Sequence, residues 1–288
     1  MADNTARFGP AGNSTAFYDA GMKATLQAPG WLEKMGLNAY EYQCGRGVNI
    51  RTETAEALGK KAAEHGVALS IHAPYYISLA SDDPAKRDNS LRYILDSARA
   101  VTAMGGDRIV VHPGGLGGLS RSGAAELARG TLVRAQAVLD EEGFGDVRIC
   151  PETMGKINQL GDLEEVLGFC AVDERMLPCV DFGHLNSRTM GGLGSSAEYA
   201  QVLDAIENGV GIDRARLMHI HFSKIEYTAG GEKKHLTFED TVYGPEPGML
   251  MELLARRGYT PVVICESAGT QDVDALAMMK MYSQSLLI

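Results

Sequence analysis

The stretch Leu177-Pro178-Cys179-Val180-Asp181-Phe182-Gly183-His184 climbs through a short apolar run to a carboxylate, turns on a glycine and presents an imidazole three residues later. An apolar run bounded by turn residues reads as a buried parallel strand. A carboxylate at its end is costly to bury unless it is paired or holds a metal. The same pattern recurs on both sides. Ala68-Leu69-Ser70-Ile71 ends in His72, and Arg108-Ile109-Val110-Val111 ends in His112. Val147-Arg148-Ile149-Cys150 passes through Pro151 to Glu152. Ala215-Arg216-Leu217-Met218 ends in His219, and Pro261-Val262-Val263-Ile264-Cys265 ends in Glu266. The steps between these six residues are 40, 40, 29, 38 and 47 positions, each about one β/α unit with its loops.

Between the runs lie helical signals. Residues 53–65 read as a helix with Thr52 as N-cap and Gly66 as its stop. Pro84 opens another, in which Leu91, Ile94, Leu95, Ala98 and Val101 recur at three and four. Further helices are predicted over 122–141, after an Asp162 cap, over 196–206, and over 272–286. A long polar loop is predicted over 228–245. Strands at 6–9 and 39–43 complete eight β/α alternations with no linker. That pattern predicts an α/β fold, a single-domain (β/α)₈ TIM barrel over residues 1–288. In such a barrel every strand end opens on one mouth, so residues scattered from His72 to Glu266 converge.

Composition narrows the function. With 288 residues and a net charge of −10, the chain carries no broad basic surface for nucleic acid, though a local positive groove remains compatible. No apolar run reaches membrane-spanning length, which predicts no membrane partner. Met1-Ala2-Asp3-Asn4-Thr5 lacks the basic and apolar regions of a signal peptide. Five cysteines, several inside predicted strands, fit a reducing cytoplasm. Imidazole and carboxylate donors without thiolate suit Zn²⁺, Mn²⁺ or Fe²⁺. The donors outnumber the needs of one tetrahedral ion, and Glu152 can bridge two ions with its two oxygens.

These motifs resemble endonuclease IV, the zinc-dependent apurinic/apyrimidinic endonucleases, within the wider xylose-isomerase-like barrels. The resemblance runs from about Phe8 to Glu266 and rests on His72-Ala73-Pro74-Tyr75, Val111-His112-Pro113-Gly114, Glu152, Asp181-Phe182-Gly183-His184, Met218-His219 and Glu266. It implies a zinc held by His72, His112 and Glu152, a second held by Glu152, Asp181, His219 and Glu266, and a third held by His184 and an Asp-x-His pair. It implies hydrolysis of DNA at abasic sites, with Glu152 and Glu266 as catalytic carboxylates. Tyr75 matches a family aromatic that enters the DNA, Tyr76 replaces an aliphatic, and Arg46 stands among the family's DNA-contacting positions.

Three positions depart from that pattern. In Gly231-Glu232-Lys233-Lys234-His235, His235 matches the histidine of the third site but Lys233 stands where the aspartate belongs. An ammonium repels a cation, so the expectation is a weakened third site, with Lys233 facing substrate phosphate and Glu232 as the alternative ligand. His221 stands where the family has asparagine, and Gln43-Cys44-Gly45-Arg46 is poorer in DNA-contacting residues. A competing expectation is a one-metal sugar isomerase or epimerase. Glu152, Asp181, His219 and Glu266 would then hold Mn²⁺, and the two glutamates would move a proton beside a carbonyl. The pair His72 and His112 separates the two, because a one-metal epimerase does not need both.

Overall fold

The computed structural model describes residues 5–287. The reading of the N-terminus as leaderless therefore falls, apart from Thr5, outside the described residues. In chain order the elements are β1 (Arg7–Pro10), α1 (Thr15–Asp19), a 3-10 turn (Thr25–Gln27), α2 (Ala28–Met35), β2 (Ala39–Gln43), α3 (Thr52–Glu64), β3 (Ala68–His72), α4 (Pro84–Ala103), β4 (Arg108–Val111), α5 (Arg121–Glu141) and β5 (Arg148–Pro151). Then come α6 (Leu163–Cys170), β6 (Cys179–Asp181), α7 (Phe182–Arg188), α8 (Ser196–Val210), α9 (Ile212–Arg216), β7 (His219–Phe222), β8 (Ile225–Thr228), β9 (Gly231–His235), α10 (Pro247–Arg256), β10 (Val262–Cys265) and α11 (Gln271–Ser285).

Eight of the strands form the barrel. One parallel half runs β1-β10-β7-β6 and the other β2-β3-β4-β5. The halves meet at two single-residue parallel bridges, Ala11 with Glu41 and Glu152 with Cys179. The fold is the (β/α)₈ TIM barrel that the alternation predicts. β8 and β9 stand apart as an antiparallel hairpin inserted after β7.

Strand parity sorts the side chains. Ile71, Ile109, Val111, Ile149, Val180, Ile220 and Phe222 belong to the large core cluster that includes the surrounding helices. The alternate positions face inward. Midway up the barrel they are apolar, and Val110, Cys150, Leu177 and Cys179 pack as a separate buried plug, above the buried Arg108 that donates to Leu217 O at 2.9 Å. Toward the strand ends they turn polar: Glu41, Ser70, His72, Glu152, Asp181, His219 and His221 are all buried. A two-residue period therefore turns ligand-type residues into the barrel on successive inward steps below the mouth.

Several boundaries differ from the sequence reading. Arg51, not Thr52, occupies the N-cap of α3, and no side chain caps it. Ala215 and Arg216 are helical, and β7 begins rather than ends at His219. A short apolar run cannot choose between strand and helix by pattern alone. Here the Arg214 guanidinium decides, donating to Val210 O and Cys170 O, both at 2.8 Å, and tying the α8–α9 corner to α6. The predicted polar loop over 228–245 begins instead as the hairpin, whose Glu232 N donates to Gly155 O at 3.2 Å. The Asp162 cap is present as a capping box.

The helix α7 went unread in the sequence, and it explains the stretch quoted first. Asp181 ends β6 and at once caps α7, its Oδ1 accepting from His184 N at 2.7 Å. The cap swings His184 back over the strand end. Gly183 permits this because a Cβ there would lie 2.5 Å from Ser223 O. Gly183→Ala should therefore cost about 1–3 kcal/mol of stability. A thermal midpoint equal to that of the native chain would contradict this packing argument.

Candidate metal centre

Among the described residues four groups of donor atoms converge at the mouth, the atoms of each lying within 4.8 Å of one another; three of them contain all the donors, and the fourth, His72 with His221 and Glu266, links the first of these to the second. The first is His72, His112 and Glu152. His72 Nδ1 lies 2.9 Å from Ala73 O, which can only accept, so the ring proton sits on Nδ1 and Nε2 keeps its lone pair. Nε2 of His72 and of His112 approach Glu152 Oε2 at 3.3 and 2.9 Å. The second group is Glu152, Asp181, His221 and Glu266. His221 Nδ1 lies 3.0 Å from Glu152 Oε1 and 3.6 Å from Glu266 Oε2. The third is His184, Glu232 and His235. His184 donates Nδ1–H to Thr153 O at 2.8 Å, which aims Nε2 at Glu232 Oε2, 3.4 Å away. His235 Nδ1 rests 2.8 Å from Ser223 Oγ, leaving its Nε2 toward Glu232.

The donor set fits divalent cations. Buried Glu152 Oε2 and Asp181 Oδ2 make no hydrogen bond, although imidazole nitrogens stand within 3.3 Å of the former. Buried carboxylate oxygens without partners are costly. Lone pairs that converge without pointing at one another are what a shared ion satisfies. Burial pushes the Glu152 carboxyl up, but His221 and His112 beside it hold it well below the usual carboxylate range. Burial pushes His221 down, but Cys179, Glu266, Glu41 and Glu152 hold it well above the usual imidazole value.

The structure locates each residue singled out from sequence. His72, His112, Glu152, His184, His235 and Glu266 line one cavity of about 320 Å³, and Tyr75 stands on its wall. The Tyr75 ring centroid is 5.3 Å from that of His72 and 5.4 Å from that of His112. Asp181 lies beneath, buried in the second group. His219 does not reach that group. It stands one inward step deeper on β7, its Nε2 2.9 Å from Glu41 Oε2, and His221 takes the place expected of it. Tyr76 points away from the cavity and packs near Tyr93 at 6.1 Å. Arg46 is exposed in the turn after β2 and is not a cavity residue. Lys233 is exposed on the outer side of the hairpin, paired with Glu226, and leaves the mouth to Glu232.

Strand parity explains the exchange of Lys233 for Glu232, because neighbours in β9 point to opposite faces. The expectation that Lys233 weakens the third site and faces substrate phosphate is accordingly replaced. Lys233→Asp should leave cation content unchanged, whereas Glu232→Ala should lower it. Elemental analysis of the two purified variants decides between these placements. The sequence reading also missed three residues. Glu41 is a fully buried carboxylate on β2, visible only as a charge inside an aromatic strand. Lys156 and Gln159 line the cavity from the loop after β5. The fold brings them there by pairing Lys156 with Gly231 of the hairpin.

Eight parallel strands with imidazole and carboxylate groups gathered at their carboxyl ends define a barrel enzyme built around a buried His/Glu metal site. Residues 29–282 match the model of the xylose isomerase-like TIM barrel, and the chain belongs to that family. It is 34% identical over 257 residues to uncharacterized protein MJ0133 of Methanocaldococcus jannaschii, covering 88% of this chain and 90% of that one. It is 28% identical over 225 residues to the probable endonuclease 4 of Shouchella clausii, covering 73% of each chain. Among solved structures it resembles a D-tagatose 3-epimerase-like protein, with TM-score 0.68, 22% identity and coverage of 87% and 89%. It also resembles endonuclease IV from Thermus thermophilus, with TM-score 0.65, 20% identity and coverage of 98% and 99%. Among the described residues no helix is long and apolar enough to cross a membrane.

Proposed function

We propose that the protein is a metal-dependent phosphodiester hydrolase of endonuclease IV type, acting on DNA at abasic sites with two or three zinc ions. The observation that carries this reading is the chain of three donor groups, two of them sharing Glu152. A single-ion reaction has no use for His72, His112 and the hairpin residues Glu232 and His235 together. Divalent cations bound there would polarise a phosphoryl oxygen and lower the pKa of water. The chain's own residues do the rest. His72, His112 and His184 are aimed by backbone carbonyls or neighbouring carboxylates, and Glu152 and Glu266 line the cavity that would receive the reacting group. Lys156, which lines the cavity, would supply an ammonium to pair with a substrate phosphate. The Tyr75 ring, more than half exposed, offers a stacking face at the rim.

A second reading keeps one specific observation. Glu152, Asp181, His221 and Glu266 form a complete four-residue group by themselves, and they would suffice for a one-metal ketose epimerase in which the two glutamates exchange a proton with the substrate. One experiment separates the two. Purified protein with undisturbed sites is analysed for metal, then offered a duplex with a single abasic site and, separately, a panel of ketoses. Two or more ions per chain with incision at the lesion is the expected result. One ion per chain with interconversion of ketoses replaces the hydrolase by the epimerase.

A further inference from the structure

Beneath the metal centre lies another convergence of donors. Cys179, His219 and His221 bring a thiol sulfur and two ring nitrogens within 4.8 Å of one another, and all three residues are fully buried. Cys179 and His219 are direct neighbours in the register of β6 and β7, and parity turns both into the barrel.

Two buried nitrogens here lack a hydrogen-bond partner: His219 Nδ1 and His221 Nε2. His219 Nε2 is committed to the Glu41 carboxylate at 2.9 Å, so the proton sits on Nε2 and Nδ1 carries the free lone pair. A carboxylate behind one ring nitrogen is the arrangement that presents the other to a metal. Glu41 is itself anchored, accepting from Ser70 Oγ and Gln43 Nε2, both at 3.1 Å. His221 turns Nδ1 up toward Glu152 and Glu266 and Nε2 down toward Glu41 Oε1, 3.0 Å away.

We infer that Cys179, His219 and His221 form an inner cation site for Zn²⁺, distinct from the donor groups at the mouth and linked to them through the His221 ring. One sulfur and two nitrogens suit Zn²⁺, whereas the mouth offers only nitrogen and oxygen. As the chain folds around the ion, the Cys179 thiol proton and the His221 Nε2 proton leave to solvent; where a cation at the mouth also engages Nδ1, the second ring proton leaves as well and the ring bridges as an imidazolate. The thiolate and the Glu41 carboxylate together balance a divalent charge among fully buried side chains. The site is enclosed, so loading occurs during folding rather than by soaking.

The test uses the full chain expressed with Co²⁺ as the only transition metal. A thiolate bound to Co²⁺ gives a near-ultraviolet charge-transfer band that imidazole and carboxylate ligands cannot produce. The expected result is this band in the wild-type protein, its loss in Cys179→Ser, and persistence there of the visible cobalt bands of the mouth. A folded wild-type protein that carries cobalt but shows no charge-transfer band overturns the inference. A band that survives in Cys179→Ser overturns it as well. Should Cys179→Ser not fold, His219→Gln is read instead, and the wild-type spectrum alone still decides. The proposed hydrolase does not enter this test, which reads ligand chemistry and not turnover.

Discussion

Glu152→Ala should lower turnover by roughly 10³-fold or more, the scale expected when electrostatic stabilisation of a transition state is lost. Glu152 belongs to two donor groups at once, so its loss disturbs two sets of ligands. It would also leave His72, His112 and His221 crowded around an empty centre without their shared anion. The same variant should show reduced metal by elemental analysis, with the larger share lost from the first two groups. His65→Ala provides the contrast. Its Nδ1 pairs with Glu33 at 2.7 Å on the surface, and removal should cost under about 1 kcal/mol with turnover nearly intact. Comparable losses from both changes would mean that the donor map is misdrawn.

Stripping the cations should lower the thermal midpoint by several degrees. A ligand present at a thousand times its Kd stabilises the native state by about 4 kcal/mol. For a chain of this size each kcal/mol moves the midpoint by roughly 2 °C, which gives about 8 °C for one tightly held ion. The cause is visible in Glu152 Oε2 and Asp181 Oδ2, buried oxygens that have no hydrogen-bond partner from the protein. Calorimetry before and after chelation, followed by readdition of Zn²⁺, measures the effect. A midpoint indifferent to chelation, in protein shown by analysis to have lost its metal, would contradict it.

The barrel was legible because parallel strands buried on both faces leave near-continuous apolar runs, and here each run stops at a residue that chemistry rarely leaves buried. His72, His112, Glu152, Asp181 and Glu266 could be read in this way and do converge. The choice between His219 and His221 could not. Both have the right parity, and the start of β7 is fixed by Arg214 reaching α6 and α8, a contact that no local pattern encodes. Lys233 and Glu232 were exchanged for a similar reason. Their facing depends on the register of a hairpin, which includes a shift between Glu226 and Tyr227. Glu41 was missed because one charged residue inside a strand reads as an edge or an exposed face unless its imidazole partners, 178 and 180 positions away, are known.

At the two seams between the half-sheets each single-residue bridge carries a buried carboxylate, Glu41 beneath the centre at one and Glu152 within it at the other. His72 ends a strand of one half and His112 follows another, while Asp181, His221 and Glu266 belong to strands of the other half or follow them. A cation held between Glu152 and its partners is therefore a clasp across a seam as well as a reagent. Cut between β5 and β6, the chain would give one fragment with five barrel strands and one with three, neither holding the complete four-donor group. Their reassembly would be metered by metal, so the reaction centre doubles as the fastener of a split protein.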